Sequence, residues 1–210
     1  MKKFLYLLFA MLVTVESNAC SSDNGPMDEL PTETPDSPKA GKTLIVYYSF
    51  TNNVHTIVSD LHAQIESDIV RIEPAEKGLD YAANNYAIGS TQIQAIRDNP
   101  GNASSYPAID PVEIKFEEYS TVIVAAPLWW SNMAAPLQTF LFNHGAQMAD
   151  KRIALIVSSA SSGISGVESD AKRLIPDGNF LKPSLWIRSS QTANCHSMIA
   201  EWLGKIGYRK

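Results

Sequence analysis

The chain is poor in the residues that build metal centres and disulfide scaffolds. Its 210 residues include two cysteines, Cys20 and Cys195, and four histidines. No cysteine or histidine cluster has ligand spacing, which argues against a zinc site. Two cysteines do not make a disulfide framework. Basic residues are also in deficit, with 17 Lys and Arg against 22 Asp and Glu. The surface therefore lacks the positive charge that nucleic-acid phosphates require, and a nucleic-acid partner is not expected. No apolar run is long enough to cross a bilayer comfortably, and there are no repeats or low-complexity inserts. What remains, 45% hydrophobic and 19% charged, is an ordinary composition for one domain with a full core.

The most apolar run, Phe4 to Val15, follows a basic start, Met1-Lys2-Lys3, and precedes Glu16, Ser17 and Asn18. That is the form of a signal peptide, so residues 1–19 are expected to be removed on export. Ser17 and Ala19 are small residues at the spacing a signal peptidase prefers, and Cys20 comes next. This junction resembles the lipobox of bacterial lipoproteins, whose cysteine is lipidated after cleavage, although Ser17 stands where a leucine is usual. The resemblance implies a membrane-anchored lipoprotein, periplasmic or on the outer-membrane side, held by lipid on Cys20. Ordinary cleavage of the same bond would leave a soluble secreted protein. Cleavage leaves 15 basic against 21 acidic residues, a net of −6. Residues 20–41, with Pro26, Pro31, Pro35 and Pro38 among acids and threonines, bury too little to fold and read as a disordered tether.

From Lys42 the pattern changes, and 42–210 is expected to form the folded domain. Thr43 to Tyr48 is a continuous β-prone run, as a strand covered on both faces requires. Val54, Ile57, Val58, Leu61 and Ile65 then fall at helical spacing. Further strands are expected at Ile69–Ile72, Thr121–Ala126, Arg152–Val157 and around Leu185–Ile187. Helices are expected over Tyr81–Asp98, Pro136–Phe142, Gly166–Leu174 and Met198–Ile206. Strands alternating with helices predict an α/β fold, a parallel sheet with helices on both faces. In such sheets ligands bind at the carboxyl ends of the strands.

Three loops leave that edge. The first, Ser49-Phe50-Thr51-Asn52-Asn53-Val54, joins a strand to a helix start, where free N–H groups and the helix dipole favour an anion. It carries no lysine or arginine, so phosphate would be held by neutral donors. It lacks both the lysine of a nucleotide-hydrolase P-loop and the glycines of a dinucleotide fingerprint. An ordinary Ser/Asn helix cap is the plainer reading. The second loop, Ala126-Pro127-Leu128-Trp129-Trp130-Ser131-Asn132, places paired tryptophans where exposure is costly without a use. One ring is expected to pack inward and one to offer a stacking face. The third loop, Ser158 to Gly163, is made of small residues, Ser159, Ser161, Ser162 and Gly163 among them, whose backbone a ligand can approach closely. Tyr81, Tyr86 and His144 could border a substrate cleft, although packing and surface roles are the plainer reading.

Together these segments resemble the flavodoxin family, in particular its bacterial flavodoxin-like branch, over the whole stretch from Lys42 onward. That family's phosphate loop reads Ser-x-Thr-Gly-Asn-Thr, and Ser49, Thr51 and Asn53 match it. Its next loop reads Pro-x-Trp-Trp-Gly, matched by Pro127, Trp129 and Trp130, and Ser162 and Gly163 match the last. The resemblance implies a three-layer sandwich on a five-stranded parallel sheet of order 2-1-3-4-5, and FMN as cofactor. It implies that Ser49, Thr51 and Asn53 hold the phosphate and that Trp129 or Trp130 lies beside the flavin ring. Phe50, Asn52, Val54, Leu128, Ser131, Ser159 and Ser161 would complete the contacts. Asn52 replaces the family glycine; Val54 replaces its last hydroxyl residue; Ser131 replaces the glycine after the tryptophans.

Two functions follow. One is an FMN-dependent redox protein, either an electron carrier or an NAD(P)H- or quinone-linked oxidoreductase, with an unnamed redox partner. The other is an exported module of this fold that has lost FMN and binds a partner. The export reading has a direct check. Fatty-acid labelling of the chain in an exporting bacterium should tag the wild type and not Cys20→Ala; label in both would remove Cys20 as the acylated residue.

Overall fold

The computed structural model describes residues 41–208. The expected signal peptide, Cys20 and the tether before Gly41 lie outside the described residues.

The element order is β1 (Lys42–Tyr47), α1 (Asn53–Gln64), β2 (Asp68–Arg71), α2 (Ala83–Asp98), β3 (Tyr119–Trp129), β4 (Asn132–Met133), α3 (Ala135–His144), β5 (Arg152–Ser159), α4 (Ser165–Leu174), β6 (Asn179–Phe180), β7 (Leu185–Arg188) and α5 (Cys195–Lys205). The sheet runs β2-β1-β3-β5, with β6 and β7 following one another along the outer side of β5. All these pairings are parallel, and only the short β4 pairs antiparallel, with the end of β3. The expected five-strand order therefore holds. Its fifth place is filled by two pieces, β6 beside Arg152–Ile153 and β7 beside Ile156–Ser159.

Strand periodicity divides the core into two layers. Leu44, Val46, Val122, Val124, Leu155 and Val157 face the layer of α2, α3 and α4, where Ile93, Leu137, Phe140 and Val167 meet them. Ile45, Tyr47, Ile123, Ala154 and Ile156 face α1 and α5, against Ile57, Leu61, Ile199 and Trp202. The central strands are buried on both sides, which explains their uninterrupted Val/Ile runs. The register is close: Tyr47 pairs with Ala125, and Ala125 with Ile156. The chain thus leaves β1, β3 and β5 at one common edge.

Two elements depart from expectation. β3 does not end at Ala126. Pro127 still pairs with Ser158, and the strand continues to Trp129 before turning back into β4. The region expected to be helical from Tyr81 opens with Asn84, Asn85 and Tyr86 at φ 49°, 56° and 63°. Regular right-handed helix follows that left-handed turn. Asparagine is the non-glycine residue that best tolerates this conformation, which accounts for the Asn-Asn pair.

Burial sets the expected response to substitution. Phe140 is fully buried, whereas Ile69 on the edge strand is 39% exposed. Phe140→Ala should cost about 3–5 kcal/mol of unfolding free energy in urea titration. Ile69→Thr should stay within about 0.5 kcal/mol.

Candidate functional site

β1 is followed by Tyr48 and Ser49, both buried. Asn52 then takes a left-handed conformation, φ 61°, and α1 starts at Asn53. The asparagine thus makes the turn that a glycine would make more easily. The Ser49 hydroxyl accepts a hydrogen bond from the His55 N–H at 3.2 Å, and the Asn53 amide donates to the Thr51 hydroxyl at 3.1 Å. The Asn52 carbonyl accepts from Thr56. Among the described residues no group accepts from the Asn53 or Val54 N–H, and Asn52 makes no side-chain cap. These are the donors that a helix start leaves free, at its positive end.

The tryptophans line the same cavity as this helix start. Trp129 pairs with Asn132, so Trp130 and Ser131 form a two-residue hairpin turn. Both have positive φ, 44° and 66°, the signature of the hairpin turn that favours Asn-Gly. Each such residue costs about 1–3 kcal/mol unless its surroundings hold it. Trp129 packs inward, with ring centroids 5.6 Å from Tyr48, 6.4 Å from Phe50 and 5.0 Å from Tyr81. Trp130 remains 40% exposed. The inward packing of one ring agrees with expectation, and the other ring is exposed. Gly89 of α2 lets both rings approach: a Cβ there would lie 3.1 Å from Trp130 and 3.4 Å from Trp129.

In the third loop the Ser159 hydroxyl donates to the Ser162 carbonyl at 2.9 Å and accepts from the Trp186 indole N–H at 2.8 Å. Trp186, on β7, therefore braces this loop from behind.

These segments enclose a cavity of about 370 Å³. Ser49, Phe50, Thr51, Asn53 and Val54 line it from the first loop, Pro127, Leu128, Trp129 and Trp130 from the hairpin, and Ser159 from the third loop. Asn52, Ser131, Ser161, Ser162 and Gly163 are not on its wall; Asn52 and Ser131 serve as turn residues, and the other three are exposed beyond Ser159. Tyr81 and Tyr86, for which a cleft position was the less favoured of two expectations, do line it, as do Gly89, Ser158, Ala160 and Ser189. His144 does not; its ring packs against Phe116 and Phe140. The exposed Tyr86 and the Asn-Asn turn before it were the available signal for the α2 side. Ser189 had none, because only the pairing of β7 with β5 brings it to this edge.

No residue of the wall carries a formal charge. Burial pushes the Tyr48 and Tyr81 phenols above their ordinary values, so both stay neutral. One cation is held behind the first loop: Arg71 donates to the Ser49 carbonyl at 3.3 Å and pairs with Glu73 at 2.6 Å. The strand pairing of β1 with β2 puts it there. The site thus offers hydroxyl, amide and helix-start donors together with an aromatic wall. That set suits a ligand with an anionic end and a flat ring.

The family model described as flavodoxin matches residues 42–206. The chain belongs to the flavodoxin family. No curated protein matches it. Solved structures share the fold. A Bacteroides eggerthii protein described as a flavoprotein is 23% identical with a TM-score of 0.65, over 80% of this chain and 99% of that one. A Bacteroides uniformis protein described in the same way is 22% identical with a TM-score of 0.62, over 80% and 100%. A Lactobacillus acidophilus flavoprotein, solved in complex with FMN, is 21% identical with a TM-score of 0.58, over 75% and 99%.

The left-handed turn gives a prediction. Asn52→Gly should leave stability unchanged or raise it slightly, and Asn52→Ala should lower it by about 1–2 kcal/mol, read by thermal unfolding.

Proposed function

We propose that the cavity binds FMN and that the protein is an FMN-dependent redox protein, an electron carrier or an NAD(P)H- or quinone-linked oxidoreductase. One observation carries this reading: the free N–H groups at the start of α1 and the exposed Trp130 ring open into the same uncharged cavity of about 370 Å³. Membership of the flavodoxin family supports it, as does the FMN complex of the Lactobacillus flavoprotein with the same fold.

In this reading Ser49, Thr51 and Asn53, with the N–H groups of Asn53 and Val54, hold the phosphate. Trp130 offers its face to the ring, and the backbone of Leu128, Ser158 and Ser159 bounds the ring's edge. The flavin supplies the electron chemistry, and the protein positions it and sets its electrostatic surroundings. The neutral wall adds no cation to favour the negative charge that reduction brings, and the chain as a whole carries −5. Both lower the reduction potential, which favours an electron donor. We further propose that the protein works outside the cytoplasm, tethered through Cys20.

Holding a phosphate by neutral donors makes each donor count. FMN should quench on titration with the purified chain, and riboflavin, which lacks the phosphate, should bind more weakly. Thr51→Ala and Asn53→Ala should each weaken FMN about tenfold or more while leaving riboflavin unchanged. Absence of any quenching at high micromolar FMN would sink this reading. It would favour the partner-binding module instead, which the buried apolar Val54 in place of a hydroxyl also favours.

A further inference from the structure

The Trp130–Ser131 turn is left-handed at both residues, and no side chain of the cavity wall hydrogen-bonds to it. Its support comes from outside. Arg97, near the end of α2, donates to the Trp130 carbonyl and, through Nε, to the Asn132 side-chain oxygen at 2.8 Å. The Asn132 amide group and the Met133 N–H both donate to one oxygen of Asp170, each at 2.9 Å. The other Asp170 oxygen accepts from Arg173 at 3.1 Å. Arg173 is itself fixed by the Gln138 side chain at 2.8 Å and the Tyr106 hydroxyl at 2.9 Å. Asp170 is only 6% exposed, so its carboxylate is committed to these donors. Below the turn, a Cβ on Gly166 would fall 1.8 Å from the Ser131 carbonyl oxygen.

Helices α2, α3 and α4 therefore grip the hairpin through one polar network, yet neither Arg97 nor Asp170 is on the cavity wall. We propose that Arg97 and Asp170 are positioning residues that hold the Trp130 ring at the cavity mouth for the flat ring of the ligand; the inference rests on the reading of the cavity as an FMN site. The physical argument is that a left-handed tryptophan persists only where its surroundings over-determine it. Arg97 contributes two bonds, one on the carbonyl of the strained residue itself. Asp170 fixes the returning strand, so the turn cannot relax by sliding. A ring already held pays less ordering cost on binding.

The test is a double-mutant cycle on the full chain with two readouts. FMN affinity is measured for the wild type, Arg97→Met and Asp170→Asn, and again for each in a Trp130→Ala background. Without FMN, acrylamide quenching of Trp130 is isolated as the difference between each chain and its Trp130→Phe counterpart. Arg97→Met should weaken FMN about tenfold in the wild type and less than about twofold in the Trp130→Ala background. Trp130 should become more accessible to acrylamide. An equal loss in both backgrounds, an unchanged affinity, or a loss of affinity without a change in quenching would each overturn the proposal. Arg97 is exposed, so it carries the test if Asp170→Asn does not fold. If the wild type does not bind FMN, the cofactor reading fails. The quenching result then decides alone whether the network holds the ring.

Discussion

Everything at the site depends on the parallel register of β1, β3 and β5. Tyr47, Ala125 and Ile156 stand side by side across the sheet. Each chain then leaves the core within a few residues of its neighbours, and loops more than a hundred residues apart in sequence meet at one edge. The register is strongly specified because both faces of these strands are buried. A one-residue slip would exchange Leu44 and Val46 with Ile45 and Tyr47 between two differently shaped layers. The position of the site is thus a by-product of core packing and needs no loop–loop contact of its own.

From that edge the chain builds two segments of different character. The first loop ends at a helix start and offers neutral donors; the left-handed Asn52 is what aims α1 at the opening. The hairpin extends β3 past the sheet and carries one tryptophan inward and one outward. The absence of charge on the wall matters as much as what is present. In a chain of net −5, an anionic ligand is attracted by oriented dipoles near its phosphate and repelled at longer range. Short-range geometry therefore decides binding, and the backbone conformations at Asn52 and Trp130 set that geometry.

The legibility of this arrangement in the sequence was uneven, for physical reasons. β1, β3 and β5 were visible because strands buried on both faces need continuous β-branched runs. α1, α4 and α5 were visible through their spacing. β2 was visible as a short apolar run, although as an edge strand it is mostly exposed. The first loop was read from its hydroxyls and amides. Features set by long-range pairing leave no local pattern. The continuation of β3 through Pro127 to Trp129 depends on its pairing with Ser158 and with β4. The left-handed start of α2 was hinted at only by Asn84-Asn85.

The sequence by itself determined the alternation of strands and helices, the strand order through the family motifs, and the residue types that face an anion and a flat ring. Those are local or periodic properties, written in side-chain chemistry and spacing. Only the tertiary structure decided which residues share the wall. It brought Tyr81, Tyr86 and Ser189 into the cavity and left Ser161, Ser162 and Gly163 outside it. It also set Arg71 behind the first loop, Trp186 behind the third, and Arg97 and Asp170 behind the tryptophans. Such supports are long-range hydrogen bonds between elements far apart in the chain. Their partners meet only after the sheet has closed its register, and no spacing along the sequence encodes them.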